Sequence, residues 1–135
     1  MTTDARSAAL DAQALGASLT VSDLARSRAW YVDTLGFSVT REHQREGRLF
    51  AVSLGAGAVQ VLLTQDDGAK GSDRVRGEGF SLQLTTSQDV DAIAERATRA
   101  GATLDTPPSS AFGVRMFRLR DPDGFRWTIS SPRVG

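Results

Sequence analysis

Alternation of apolar and polar residues predicts strands in three segments of the chain, 17–22, 79–85 and 125–130. Their apolar positions are Ala17, Leu19, Val21, Phe80, Leu82, Leu84, Phe125, Trp127 and Ile129. Because alternate side chains point to opposite faces of a strand, each strand has one apolar face that helices should cover. The opposite faces carry mostly small hydroxyl and amide groups, which favours a concave surface lined for a ligand. Alternatively, these groups are strand formers on an ordinary exposed face.

A helical period follows the first two of these strands. For the first helix, Asp23 is the predicted N-cap and Gly36 the predicted left-handed residue at the C-terminal end. The second helix is predicted to end at Gly101, and its apolar positions follow an i, i+3, i+4, i+7 pattern at Val90, Ile93, Ala94 and Ala97. Each helix therefore has one face suited to covering a sheet.

The two strand–helix passages are similar to each other at a constant offset. Leu19 and Leu84 are 65 positions apart, and so are Gly36 and Gly101. Predicted hairpin turns at 55–57 and 121–124 have nearly the same spacing. The sequence thus predicts an α+β domain of two β-α-β-β-β modules, 15–65 and 79–131, with a mobile linker at 66–78 and a peripheral arm at 1–14. Chance similarity of the two passages is the alternative.

The composition of the chain excludes several classes of protein and of reactive site. Of 135 residues, 40% are hydrophobic and 24% are charged, which is typical of one globular domain. Sixteen basic and sixteen acidic residues cancel, so we expect no nucleic-acid partner, and no apolar run is long enough for a membrane partner. The first residues lack a secretory pattern, so we expect a cytoplasmic location. Without cysteine and with one histidine, thiol nucleophiles and multi-histidine metal sites are excluded.

Two longer motifs resemble a known family. Residues 19–37, LTVSDLARSRAWYVDTLGF, and residues 116–127, MFRLRDPDGFRW, resemble the opening and closing motifs of the vicinal oxygen chelate superfamily. This superfamily includes glyoxalase I, extradiol dioxygenases, fosfomycin-resistance enzymes and bleomycin-resistance proteins. The resemblance covers about residues 16–131. It implies paired β-α-β-β-β modules that curl their mixed sheet into an open cup, and a homodimer in which one chain can complete the cup of the other.

The resemblance also identifies the positions where metal-dependent members carry their ligands. The two histidines and the glutamate of those members correspond here to Gly16, Gly79 and Thr128, and Gln60 is the nearest match to a further ligand. Glycine has no ligating side chain, and Thr with Gln makes a poor divalent site. The spacing of Asp121 and Asp123 is explained by a turn. The chain is therefore identified with a metal-free branch, and we expect no metal and no other cofactor.

The polar strand faces give the candidate ligand site. Its predicted binding residues are Ser18, Thr20, Gln60, Ser81, Gln83, Met116, Arg118, Arg126 and Thr128. Two guanidinium groups favour a carboxylate, a phosphate or a planar aromatic ligand. The alternative for Arg118 and Arg126 is exposure at a strand edge, paired with an acid. His43 lies in a charged segment predicted as a hairpin end, where we expect it to be solvated, with general-base work as the alternative.

Three functions remain open from the sequence. The first is a metal-independent small-molecule binding protein, including sequestration of an antibiotic or toxin as bleomycin-resistance proteins do. The second is an enzyme of the same superfamily, either glyoxalase-like (a lyase, isomerase or transferase) or dioxygenase-like. It would use acid–base or electrostatic catalysis by the side chains of Arg126, Arg118, Glu78 or His43. The third is an interaction module that presents Trp30 and the linker to a protein partner.

Overall fold

The computed structural model describes residues 9–132, so most of the arm predicted at 1–14 lies outside the described residues. Ten regular elements follow one another along the chain. They are β1 (Ala17–Val21), α1 (Leu24–Trp30), β2 (Ser38–Arg45), β3 (Arg48–Ala56), β4 (Val59–Gln65), β5 (Leu82–Thr85), α2 (Val90–Arg99), β6 (Leu104–Ala111), β7 (Val114–Arg120) and β8 (Arg126–Ser131).

The internal repeat is present in the strand order. The first sheet has the order β1-β4-β3-β2, and the second has the matching order β5-β8-β7-β6. In both sheets the outer strand next to the helix connection pairs in parallel, β1 with β4 and β5 with β8, while the other pairs are antiparallel. The fold is therefore α+β, with two β-α-β-β-β modules and two four-stranded mixed sheets, as the sequence predicts.

The ends of the first helix are set by the residues that the sequence indicates. The Asp23 side chain accepts a hydrogen bond from the backbone N–H of Arg26 at 3.1 Å. After Trp30 the helix widens into one π-helical turn over Tyr31–Leu35, and Gly36 ends it in the left-handed conformation with φ of 79°. The wide turn directs the Tyr31 ring into the core, where it is completely buried.

One hydrophobic core joins the two modules. The apolar faces of the strands meet the helices and contribute Leu19, Val21, Val52, Leu54, Val61, Leu63, Phe117, Leu119, Trp127 and Ile129. Helix α2 adds Val90, Ala94 and Ala97 from the predicted stripe. Tyr31, Phe37 and Trp127 pack edge to face across the module boundary, with ring centroids 5.7–5.9 Å apart. The polar strand faces are consequently left on the outside of this core.

A β-bulge in β2 changes the environment of His43. The pairing of β2 with β3 shifts between Val39 and Arg41, so that Arg41 lies opposite Ser53 and His43 lies opposite Ala51. The strand continues to Arg45, and His43 is half-buried inside it rather than at a solvated hairpin end. The extra residue places His43 on the polar face of the first sheet. Sequence alternation alone gave no sign of this bulge.

The segment between the modules, residues 66–81, contains no helix or strand, but side-chain contacts fasten it. Arg76 pairs with Asp66 at the end of β4 and, at 3.7 Å, with Asp123 in the β7–β8 turn. The backbone N–H of Ser22 donates to Asp123 at 3.1 Å. Through Arg76 and Asp123 the segment is therefore connected to both modules.

Two element boundaries differ from the sequence prediction. The β3–β4 turn lies at 57–58 rather than 55–57, because β3 continues to Ala56. Strand β5 begins at Leu82 rather than at residue 79, because Gly79 has a left-handed φ of 84° that interrupts the extended chain.

Among residues 9–132, neither helix combines the length and the apolar character needed to cross a membrane.

Candidate functional site

A continuous groove with polar and apolar walls runs along the neighbouring edges of β1 and β5. It consists of three adjoining hollows. The arginine hollow, of about 370 Å³, is lined by Gly79, Phe80, Ser81, Gln83, Asp105, Arg118, Leu119, Arg126, Trp127 and Thr128. The central hollow, of about 690 Å³, is lined by residues 15–19, 59–61, 80–84 and Trp127. The small hollow, of about 150 Å³, is lined by Gly16, Ala17, Thr40, Ser53, Leu54, Gln60, Val61 and Leu62.

The hollows form one surface because neighbouring hollows share their walls. The arginine and central hollows share Phe80, Ser81, Gln83 and Trp127. The central and small hollows share Gly16, Ala17, Gln60 and Val61. The arginine and central hollows each lie within the size range of small-molecule sites, about 300–1,000 Å³. The groove is thus large enough for a drug-sized molecule with polar contacts at both ends.

Most of the residues predicted to bind ligand line this groove. Those that do are Ser18, Gln60, Ser81, Gln83, Arg118, Arg126 and Thr128. Thr20 and Met116 are half-buried on β1 and β7 and line none of the three hollows. The row that crosses the second sheet is Gln83, Thr128 and Arg118, which are successive partners in the strand register.

Phe80 is a groove residue that the alternation pattern assigns to the wrong face. The sequence predicts it on the apolar face under the helices, but its side chain is 45% exposed and lines both the arginine and the central hollow. Its ring lies 6.1 Å from the ring of Phe125. The residue in the sequence that indicates this change of face is Gly79, because a glycine directly before Phe80 can interrupt the two-residue alternation of the strand.

Among the described residues, the two arginines that line the groove are not paired with an acid, although a carboxylate lies in the same hollow. Ion pairs join Arg28, Arg74, Arg76, Arg115 and Arg120 to nearby carboxylates. Within residues 9–132, Arg118 and Arg126 make no ion pair, although both are exposed. The nearest acid in the arginine hollow, Asp105, accepts instead from Arg120 Nε at 2.9 Å.

His43 lies next to the opposite end of the groove. Its Nε2 is 2.9 Å from Ser53 Oγ, and Ser53 lines the small hollow. The ring also lies 6.3 Å from the ring of Phe50. Among the described residues no carboxylate contacts the His43 ring, so it lacks the orienting acid of a catalytic triad. Glu78 is exposed in a turn and does not line the three hollows.

A metal site in the groove would have to form at the positions that the resemblance identifies. Gly16, Gly79 and Thr128 all line it, as does Gln60. In the part of the chain that the structure describes, no three His, Cys, Asp or Glu side chains come together in a metal-binding arrangement. Two glycines have no ligating side chain, and the Thr128 hydroxyl and the Gln60 amide are not the strong ligands that zinc, iron or manganese require. The residues present do not fit the metal of the metal-dependent members.

A buried hydrogen-bond network holds the β7–β8 turn against the first helix. The Tyr31 hydroxyl donates to Asp121 Oδ2 at 2.6 Å and accepts from Trp127 Nε1 at 3.0 Å. Asp121 Oδ1 accepts from the backbone N–H groups of Asp123 and Phe125, both at 2.9 Å. Burial raises the pKa of the Asp121 carboxyl, and the hydrogen bond from Tyr31 opposes that rise. The network explains both aspartates of the turn as structural residues.

Comparison with known proteins agrees with this architecture. The family model described as the Glyoxalase/Bleomycin resistance protein/Dioxygenase superfamily matches residues 13–129. Among curated proteins, none matches the chain.

Several solved structures are similar over most of their length. TioX from Micromonospora sp. ML1 is 24% identical with a TM-score of 0.69, and the match covers 91% of this chain and 98% of that one. TnmS3, an antibiotic binding protein from Streptomyces sp. CB03234, is 21% identical with a TM-score of 0.72, over 93% and 100%. A superfamily member from Sphaerobacter thermophilus DSM 20745 is 26% identical with a TM-score of 0.69, over 89% and 98%.

Proposed function

Because this chain belongs to the glyoxalase/bleomycin resistance protein/dioxygenase superfamily, we propose that it uses the scaffold to bind a small organic molecule without a metal and without altering it. The groove along the edges of β1 and β5 is the binding site. The observation that carries the proposal is the combination of a drug-sized groove with glycine and threonine at the positions where metal-dependent members place their ligands. Sequestration of an antibiotic or toxin is the biological role that this chemistry fits, and the antibiotic binding protein TnmS3 has the same fold.

The lining of the groove suits reversible binding. Phe80, Leu82 and Trp127 offer apolar surface, and Ser18, Gln60 and Gln83 offer hydroxyl and amide groups that can donate or accept. Such sites bind through burial of apolar area, while a few polar groups fix the orientation of the ligand. None of these side chains is a strong acid, base or nucleophile. We therefore expect a compound that binds in the groove to be released unchanged.

The enzyme alternative needs a reactive group in the groove. The reactive groups nearest to it are the His43–Ser53 pair, without an orienting acid, and the two arginines, which polarise a ligand but cannot take up a proton. Binding is favoured over turnover for this reason.

The interaction-module alternative is not favoured, because Trp30 is half-buried and packs edge to face on Tyr31, with the ring centroids 4.8 Å apart.

A metal analysis beside a ligand screen tests the proposal. The purified protein should contain less than one divalent metal per chain, and a chelator should not lower its melting temperature. In a thermal-shift screen of antibiotics and small organic acids, at least one compound should raise the melting temperature and be recovered intact by mass spectrometry. Stoichiometric metal that is lost to the chelator together with binding, or a chemically changed compound, would contradict the proposal.

Filling the groove at Gly16 should abolish binding without harming the fold. A Cβ at Gly16 meets no atom within 4 Å, and the residue lines both the central and the small hollow. Gly16→Leu therefore places a branched side chain in the groove. We expect at least tenfold weaker binding of any compound from the screen, measured by calorimetry, with an unchanged melting temperature of the free protein.

Ala92→Leu is the matched control for Gly16→Leu. Ala92 is exposed in the first turn of α2 and lines none of the three hollows, so the same side chain is added away from the site. Binding should be unaffected. Equal affinity of the Gly16→Leu variant and the wild-type protein would place the binding site outside the groove.

We also propose the homodimer that the family resemblance implies. Leu10 and Leu15 are 93% and 98% exposed, and Leu15 lines the central hollow. A second copy that covers them would add a wall to that hollow. Light scattering after size-exclusion chromatography measures the mass directly, and about twice 14.4 kDa is expected.

A further inference from the structure

Three arginines share the polar face of the second sheet where β7 meets β8. Arg118 and Arg120 alternate along β7 with the buried residues Phe117 and Leu119, and Arg120 lies directly opposite Arg126 on β8. Like charges at directly opposite positions of an antiparallel pair destabilise the sheet. Asp105 compensates Arg120, which leaves Arg118 and Arg126 as two uncompensated charges. In this part of the sheet, two positive charges are therefore not neutralised by an acid of the described chain.

Arg118 and Arg126 both line the arginine hollow, from the two neighbouring strands β7 and β8. Arg118 is opposite Thr128 and Arg126 is opposite Arg120, so Arg118 and Arg126 are diagonal neighbours on the same face. Diagonal positions of an antiparallel pair are about 7–8 Å apart, which two long side chains can close on a single anion. Thr128 stands between Arg118 and Gln83 in the register and adds a hydroxyl to the same place. This set offers charged and neutral donors to one oxyanion.

An exposed aromatic ring lies at the junction of the arginine and central hollows. Phe80 lines both hollows, and nearly half of its side chain is exposed. Aromatic rings stack favourably on planar groups, and arginine also recognises planar anions. The ring and the guanidinium groups together match a molecule that is flat at one end and negatively charged at the other.

From this geometry we propose that the groove selects a planar aromatic carboxylic acid, whose carboxylate is held by Arg118 and Arg126 and whose ring lies against Phe80. This inference rests on the proposed binding function and names its ligand class. The other large cavity, about 520 Å³ between the β3–β4 turn and the start of α2, does not compete as an anion site, because no charged side chain lines it.

Titration with a matched pair of probes tests the inference. The probes are 2-naphthoate and its neutral analogue 2-naphthamide, which differ in charge but hardly in shape. Wild-type protein should bind the acid at least tenfold more tightly than the amide by calorimetry. Arg118→Gln and Arg126→Gln should each reduce affinity for the acid about tenfold and leave affinity for the amide unchanged. Phe80→Ala should weaken the binding of both.

Arg99→Gln supplies the charge control, because Arg99 is exposed at the end of α2 and lines none of the hollows. Its affinity for 2-naphthoate should equal that of the wild-type protein. Inorganic phosphate, an anion without a ring, should bind more weakly than the acid and independently of Phe80. Equal binding of acid and amide, no binding of the acid, or phosphate binding as tight as that of the acid would each overturn the inference.

The failure of this inference is distinguishable from failure of the proposed function. If 2-naphthoate and 2-naphthamide bind equally tightly and Gly16→Leu weakens the binding of both, the groove is a binding site that does not select acids. If instead Arg118→Gln or Arg126→Gln changes the oligomeric state in light scattering, the two arginines serve contact between copies of this chain, and the acid-binding inference is wrong.

Discussion

Removal of one hydroxyl group, in Tyr31→Phe, should destabilise the protein by about 3 kcal/mol. The Tyr31 hydroxyl is the donor to Asp121 Oδ2 and the acceptor for Trp127 Nε1, and all three side chains are buried. A buried polar group left without its partner costs about 1–3 kcal/mol, and more when it is charged. Phenylalanine keeps the ring and its packing, so the loss reports the hydrogen bonds alone. Urea denaturation of both proteins at neutral pH measures it.

The loss of stability caused by Tyr31→Phe should increase as pH rises. Burial raises the pKa of Asp121 in the folded chain, and the hydrogen bond from Tyr31 lowers it again. A carboxyl whose folded-state pKa is raised contributes its full stability below its ordinary pKa of about 4, and this contribution is lost as pH rises through the raised pKa. Tyr31→Phe removes the opposing hydrogen bond and raises that pKa further. The deficit of the variant is therefore largest at neutral pH and shrinks on acidification.

The comparison between variant and wild type isolates Asp121 from other acids. Hydrogen bonding from Gly68 and Arg76 lowers the pKa of Asp66, so acid weakens the fold through Asp66, but equally in both proteins. In the double variant Tyr31→Phe with Asp121→Asn, the titrating carboxyl is gone, and the difference from Asp121→Asn alone should no longer change with pH. A deficit that stays constant in the Tyr31→Phe variant from neutral pH down to about 4, the ordinary pKa of an aspartate, would show that Asp121 is not its source.

The parts of the fold that local sequence chemistry determines could be predicted. Asp23 and Gly36 bound the first helix because an N-cap acceptor and a left-handed residue are local requirements. Alternation identified the buried faces of β1 and β8, because a strand on one core has a period of two. The repeat followed from the same local signals at a constant offset.

The candidate site was less predictable because its geometry depends on breaks in that periodicity. The bulge between Val39 and Arg41 decides which face His43 occupies, and the left-handed Gly79 decides where Phe80 points. The sequence predicts Arg76 to be part of a mobile linker, yet it contacts acids that are 10 and 47 positions away. Such contacts arise from tertiary packing, so no local sequence pattern predicts them.

Gly77→Ala should be among the most damaging small substitutions in the chain, at about 3–4 kcal/mol. Gly77 is buried with a left-handed φ of 76°, and a Cβ there would lie 2.6 Å from the carbonyl oxygen of Gly124 and 2.9 Å from Phe125 Cα. The left-handed conformation costs a residue with Cβ about 1–2 kcal/mol. Relief of the contact requires the backbone of the linking segment or of the β7–β8 turn to move, which adds about 1–3 kcal/mol.

Gly79→Ala separates the two contributions within the same loop. Gly79 has a similar φ of 84°, but a Cβ there meets nothing within 4 Å, so this variant should lose only about 1 kcal/mol. The difference between the two variants in urea denaturation then measures the close approach of the segment to the turn. That approach brings Arg76 to Asp123 and so connects the modules. Equal losses in both variants would mean that the linking segment packs less tightly on the turn than the contact at Gly77 requires.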